Sequence, residues 1–428
     1  MLLLRSVGQV PRVVRRSPIF GARRSVDFKY RPSIPAYRFS AAAEEREDSN
    51  KDPNKLDSRV WPIAASNLLM GSAIGVMLPV MPLFAKELGI STAELGAAVS
   101  AIGIARLLSN IPAAWLVDKY GRRPLMIFGP FISALGMTAT AVCTTASELI
   151  ATRFVTGVGG SLNQAGSQSY LADISTIKNR ARTMAPMGAA FSAGALCGPA
   201  IGGFIGGNYG LHMPFYFVGG AIFGVTALNF IMLPETRPIS NDHLGEDKRL
   251  VDEFSETIKL WKPLLADTNI RGILGVYTSY WILSVGCMFT LMPLLAVERF
   301  GATPSVVGSV YAVNSLINII GSQPAAWISD KKGRKAVIAP GIFIAGSGTA
   351  FMAAAQSLDQ FLAACVVYGV GSSLIGSAPM AYVSDVTDDR TRTQALALMR
   401  SGGDVGFVFG GGLCGSISLL LGTNAAYA

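Results

Sequence analysis

The sequence predicts an all-α integral membrane protein made of two pseudo-symmetric helical bundles, and three observations lead there. Apolar stretches about as long as a bilayer is thick recur along the chain. Basic residues crowd into alternate loops. One helix-and-loop segment returns 212 residues later. Half of the 428 residues are hydrophobic and only 15% are charged, against about 25% charged in a soluble domain, so the chain is short of residues to face water.

A bilayer core takes about 20 apolar residues per helix. Such spans are predicted at 61–86, 95–117, 124–146, 148–172, 182–207 and 213–233, then at 271–297, 304–329, 336–357, 359–384 and 392–421. Forty-seven glycines fit this reading, because small residues let helices approach closely in lipid. The two sets are separated by a polar loop, 234–270. Within it Val251, Phe254, Ile258, Trp261 and Leu265 recur at helical spacing, which predicts an amphipathic helix on the membrane surface.

Orientation follows from lysine and arginine in the loops. One set of loops holds eighteen, among them Lys119, Arg122, Arg123, Lys178, Arg182, Lys331, Arg334 and Lys335. The other set holds Lys86 and Arg299. The N-terminus, the central loop and the basic loops therefore share one side, cytoplasmic or matrix.

The net charge of +9 is concentrated in a tail. Residues 1–40 carry nine Lys/Arg against Asp27 alone, which argues against a nucleic-acid-binding face. An Arg-rich, acid-poor, Ser-containing N-terminus reads as a transit peptide over 1–43, with Arg38-Phe39-Ser40 resembling a mitochondrial processing site; a plastid is the alternative destination. A polar linker, 44–60, follows. The five cysteines fall within apolar runs without metal-site spacing and read as packing residues.

The repeat is specific. Residues 112–122 recur at 324–334 with eight of eleven identical, and the same offset aligns Asp173 with Asp385 and Gly198 with Gly410. Two like units with an even number of spans run in the same direction, the parallel-repeat plan of one transporter class with a midplane site. The repeat of span six should begin near position 425, so the reading expects eleven spans, a missing twelfth helix and a truncated C-terminus. The bundles are expected at 61–233 and 271–428.

Asp118-Lys119-Tyr120-Gly121-Arg122-Arg123 and its copy Asp330-Lys331-Lys332-Gly333-Arg334-Lys335 join helix ends to tight basic turns. With Ala114 and Ala326 at their heads they resemble the loop motif of the major facilitator superfamily, and the resemblance extends over 61–421. It implies that family's fold and transport of a small organic solute by alternating access. It also assigns gating to Asp118, Gly121, Arg122, Arg123, Asp330, Gly333, Arg334 and Lys335. Arg153-x-x-x-Gly157-x-Gly159 resembles the motif to which the family ascribes proton coupling. Gly194, Gly198, Pro199, Gly202 and Gly203 resemble the antiporter motif of its drug:proton branch, though the same glycines would serve plain packing.

Ionisable residues inside a membrane are costly and mark function by default. Arg106, Arg400 and Asp404 fall deep within spans and break the repeat, their counterparts being Asn318, Gly188 and Ser192. The expectation is that Asp404 exchanges partners between Arg400 and Arg106 and accepts a proton during the cycle. The alternative is that Arg400 and Asp404 neutralise each other on one helix.

The leading functional expectation is proton-coupled antiport and efflux of a small molecule by a monomer in a lipid bilayer, with no cofactor, metal or nucleic acid. A facilitator or symporter for a sugar or organic acid is the alternative, and a non-transporting receptor or assembly protein is one of another class. The only histidines, His212 and His243, lie near loops, and no nucleophile–base set or nucleotide loop points to an enzyme.

Overall fold

The computed structural model describes residues 57–175, 180–236, 250–376, 378–388 and 391–421; the N-terminal tail, most of the linker and the last seven positions lie outside them. Helices stand at each of the eleven expected places. The first half contains α1 (Val60–Glu87), α2 (Thr92–Tyr120), α3 (Arg122–Thr140), α4 (Ala146–Ile174), α5 (Arg180–Tyr209) and α6 (Met213–Met232). Helix α7 (Leu250–Ala266) occupies the central segment. The second half contains α8 (Thr268–Leu283), α9 (Met292–Phe300), α10 (Pro304–Lys332), α11 (Lys335–Ala354), α12 (Leu358–Ile375), α13 (Ala378–Val386) and α14 (Arg392–Leu421).

Among the described residues, eight helical runs are long and apolar enough to cross a bilayer. Helices α3, α4 and α14 are not among them, and the reason is visible in their sequences. Helix α3 opens on two arginines, α4 carries Arg153 among Ser, Thr, Asn and Gln, and α14 carries Arg400 and Asp404. Helix–helix packing shields Arg122, Arg153 and Asp404 in place of lipid.

Local signals set the helix ends. Ser91 with Glu94, and Thr145 with Glu148, form reciprocal capping boxes at the starts of α2 and α4, satisfying donors the first turn would leave open. Thr303 and Ser357 cap α10 and α12. Gly121 and Gly333 end α2 and α10 at φ 93° and 92°, a region glycine enters without steric cost. The repeated turn therefore needs glycine in both copies.

The seventh span is interrupted. Between α8 and α9 the backbone widens into a π-helix, Ser284–Leu291, where the Thr290 hydroxyl donates to the Val285 carbonyl at 3.0 Å. Such widened turns collect at functional sites. Pro293, just beyond, supplies no backbone donor.

In the first half α1 packs on α5, α2 and α3 on α4, and α3 on α6. In the second, α12 packs on α10 and α11, and α14 on α8. The halves meet through α2 with α14 and through α5 with α10. Their close approaches run from the midplane to the side away from the basic loops. A Cβ on Gly203 would fall 3.0 Å from Gly308 Cα, and one on Gly415 would fall 2.6 Å from the Thr92 carbonyl oxygen. Lys86 pairs with Glu298 at 3.7 Å on that side. A hydrophobic cluster seals it, with Val80, Met81 and Val99 of the first half against Val285, Leu294 and Phe407 of the second. Toward the basic loops, a Cβ on Gly188 of α5 would meet nothing within 4 Å.

Helix α7 lies at the basic-loop end and touches α2, α8 and α14. Leu264 is its buried anchor, in a cluster with Ile270, Ile273 and Leu398, whereas Ile258 and Leu265 are exposed. The amphipathic pattern thus divides between a protein-facing residue and apolar side chains left open. Of the five cysteines four are buried, but Cys197 is exposed on α5, so the packing role expected of all five holds only for Cys143, Cys287, Cys365 and Cys414.

Candidate functional site at the midplane between the halves

Asp404 is 4% exposed, and both of its oxygens are held by the other half. Arg106 of α2 pairs with Oδ1 through Nε at 3.2 Å, and the Asn110 side-chain amide donates to Oδ2 at 2.9 Å. Positions 106 and 110 are one helical turn apart, so they lie on one face of α2. The approach is close because Gly103, a turn earlier, has no side chain; a Cβ there would sit 3.0 Å from the Asp404 carbonyl oxygen. Ser100 completes the seam by donating to the Val408 carbonyl at 2.6 Å.

Arg400 stands one turn before Asp404 but bonds elsewhere. Its Nη1 donates to Gln168 Oε1 on α4 at 2.8 Å. Of the expected partners, then, Asp404 has Arg106, while Arg400 reaches across to the other half. Both arrangements tie α14 to the first half. Aromatic rings wall the site. Arg106 lies over the Phe407 ring at 6.0 Å, Trp281 packs at a tilt against Phe407 at 5.3 Å, and Tyr277 meets Trp281 edge to face at 6.3 Å.

Arg153 is elsewhere. It is fully buried inside the first half, donating to Thr140 Oγ1 and contacting the Met77 sulfur at 2.6 Å, while its Nε has no hydrogen-bond partner. The structure does not bring it to the cluster of Arg106, Arg400 and Asp404.

The two loop motifs are built alike. Arg122 pairs with Asp118 at 3.5 Å and with Asp173, at the end of α4, at 2.7 Å. Its copy Arg334 pairs with Asp330 at 2.5 Å and with Asp385, at the end of α13, at 2.8 Å. Asp385 and then Asp330 hold the Arg334 guanidinium above its ordinary pKa. The first copy has an extra anchor. Glu235, after α6, accepts the backbone N–H groups of Arg122 and Arg123 at 3.0 Å each, and Arg123 donates to the Phe230 carbonyl at 2.8 Å. Arg122 is accordingly the more buried, its side chain 9% exposed against 24% for Arg334. Asp118 is 72% exposed, and its ion pair with Arg122 lies within its own half. In this conformer the motifs fasten helix ends inside each half. Lys335 opens α11, beside Gly333 and Arg334.

Gly194, Gly198 and Gly202 of α5 face α1, where their absent side chains make room for Leu68, Ser72, Gly75 and Val76. Gly203 faces Pro304 and Gly308 of the other half. Pro199 touches both, its ring near Gly75 and its carbonyl near Gly308.

The model of the Major Facilitator Superfamily matches residues 63–303 and 282–428. The chain belongs to that superfamily. Its relatives include Multidrug resistance protein 2 of Bacillus subtilis, 27% identical over 342 residues that cover 77% of this chain and 82% of that protein. Quinolone resistance protein NorA of Staphylococcus aureus is 28% identical over 38% of this chain and 42% of its own length. Among solved structures, nucleoside transporter NupG superposes with a TM-score of 0.69 at 13% identity, over 87% of this chain and 95% of that one. The protein is thus a multi-pass membrane transporter of the Major Facilitator Superfamily, similar in sequence to its multidrug resistance members.

Sequence reasoning missed Asn110, Gln168 and Glu235, because a single amide within a helix, or a carboxylate just beyond one, gives no periodic signal. Asp173 and Asp385 had one: the repeat offset aligns them, and each takes the arginine of its own half.

Proposed function

We propose that this chain moves a small organic solute by alternating access, coupled to protons, and that Asp404 is the group that carries the proton. The observation that carries this reading is a buried carboxylate at the midplane, bonded through both oxygens to the opposite half. A proton on Asp404 cancels its charge, releases Arg106 and loosens the seam between α2 and α14. A change of protonation thereby becomes a change in how the halves are held. The loop motifs, with Asp118, Arg122, Asp330 and Arg334, keep each half rigid while it moves.

Exchange of solute for protons, with efflux as the outcome, is the coupling in keeping with relatives named for multidrug and quinolone resistance. A second coupling, cotransport of a proton with an organic acid, is favoured by the charge at the midplane, where two arginines face one carboxylate.

Reconstituted vesicles with an imposed pH gradient test the proton reading. Wild-type protein should accumulate or expel solute in response to the gradient, and its direction separates exchange from cotransport. Asp404→Asn should lose at least tenfold of the gradient response while solute counterflow persists. A variant that keeps the full response would remove Asp404 from the cycle.

The Arg-rich tail supports delivery to the mitochondrial inner membrane, with the plastid envelope as the alternative. Residues 1–43 fused ahead of a fluorescent protein should take it into mitochondria; a reporter left in the cytosol would rule out this address.

A further inference from the structure

The midplane cluster has an unbalanced charge. Among the described residues, Arg106, Arg153, Arg400 and Asp404 are the acidic and basic side chains in the middle of the spans, and Arg153 is sealed within the first half. Arg106, Arg400 and Asp404 then remain between the halves. Asp404 is committed to Arg106. Arg400 has Gln168 as its bonded partner, and an amide oxygen neutralises no charge. A guanidinium has five N–H donors, so Arg400 has donors to spare.

Beside it stand two aromatic rings set edge to face. Positions 400, 403 and 407 share one face of α14 at helical spacing, and position 403 is glycine. The Tyr277 and Trp281 rings pack against that glycine, 3.2 and 3.4 Å from where a Cβ would stand. The Tyr280 hydroxyl bonds to Ser372 Oγ at 2.7 Å, extending a polar edge from the same wall. The site thus offers an open guanidinium one turn from a pair of aromatic rings.

We infer that the midplane site takes an organic anion with an aromatic body, Arg400 binding its carboxylate and the Tyr277 and Trp281 rings packing against its ring by face and edge. A guanidinium is matched to a carboxylate in shape as well as sign. A cationic solute would instead add a third positive charge to a region with one negative charge.

The inference rests on the reading of this cluster as the transport site, and it fixes the sign of the coupling. When Asp404 takes a proton, Arg106 loses its partner and the site gains positive charge, so protonation strengthens binding of an anion. By reciprocity the anion strengthens proton binding by the same factor. Proton and solute therefore load together, which selects cotransport from the two couplings above.

The test uses the full-length protein in lipid nanodiscs and two probes of similar shape, 1-naphthoate and 1-naphthylmethylammonium. Wild-type protein should bind naphthoate at least tenfold more tightly, and more tightly at pH 6 than at pH 7.5. Arg400→Gln should cost naphthoate at least tenfold, with part of the loss recovered in Arg400→Lys. Equal or tighter binding of the ammonium probe by wild type would overturn the assignment without any variant. So would a folded Arg400→Gln protein that binds naphthoate unchanged. Vesicle transport keeps the two proposals apart. If Asp404→Asn abolishes the gradient response but naphthoate shows no preference, the proton site stands and the anion assignment falls. If naphthoate binds as expected but Asp404→Asn keeps its gradient response, the reverse holds.

Discussion

Arg106→Ala is expected to lose gradient-driven transport as fully as Asp404→Asn, and to become less stable as the pH rises. Asp404 is 4% exposed, and the substitution leaves it with Asn110 as its cross-half partner. Breaking one side of a buried ion pair costs about 3–5 kcal/mol. The Arg106 side chain is 27% exposed, so the lower end of that range applies. A carboxylate so placed escapes the cost by holding a proton, and a permanently protonated group cannot shuttle. Toward low pH the gap to wild type should narrow, because a proton on the unpaired carboxylate removes the buried charge that the substitution strands. As the pH rises the unfolded chain gives up this proton more readily than the fold does, and stability falls. The double variant Arg106→Ala/Asp404→Asn removes the titrating group and should show no such slope, while remaining uncoupled. Thermal shift of the three proteins between pH 5 and pH 8 measures this. A flat profile for Arg106→Ala would mean that Arg106 does not set the protonation of Asp404.

The contrast between Arg106 and Arg122 shows how far a sequence carries the reader. Both are arginines on α2 or at its edge, and both were legible as candidates. Arg122 belongs to a motif repeated at Arg334, so its neighbours come with it: Asp118 with Asp330, Asp173 with Asp385. Duplication records a contact twice, and register alone recovers it. Arg106, Arg400 and Asp404 break the repeat, which marks them as additions to the scaffold but says nothing of who bonds to whom. The choice of Arg106 by Asp404, and of Gln168 by Arg400, depends on the crossing of α2 and α4 with α14. A shift of one helical turn would reverse it, and no spacing within a single helix encodes that crossing. The same limit applies to the glycines of α5. Their four-residue rhythm predicts close packing, but not that Gly198 meets one half and Gly203 the other.

That division yields the second large effect. Gly198→Leu is expected to abolish most of the folded yield, whereas Gly203→Leu should fold and rest in a different state. A Cβ at Gly198 would lie 2.7 Å from Gly75 Cα and 2.8 Å from the Ser72 carbonyl oxygen. These are backbone atoms inside the same half and cannot rotate aside, so α1 and α5 must separate along a packed seam. Overpacking costs about 1–3 kcal/mol when side chains can yield, and more when they cannot. Gly188→Leu, where a Cβ meets nothing within 4 Å, is the control for merely placing leucine on α5. At Gly203 the obstructing atoms, Pro304 O at 2.9 Å and Gly308 Cα at 3.0 Å, belong to the other half. The clash there exists in the arrangement closed away from the basic loops and is relieved when the halves part on that side. The cost therefore falls on one conformer, and a population shift follows from the difference between states. Cysteine labelling at the Lys86–Glu298 end should rise severalfold in Gly203→Leu and stay low in Gly188→Leu. If Gly203→Leu instead fails to fold like Gly198→Leu, α5 and α10 are a fixed joint, and the halves move about some other seam.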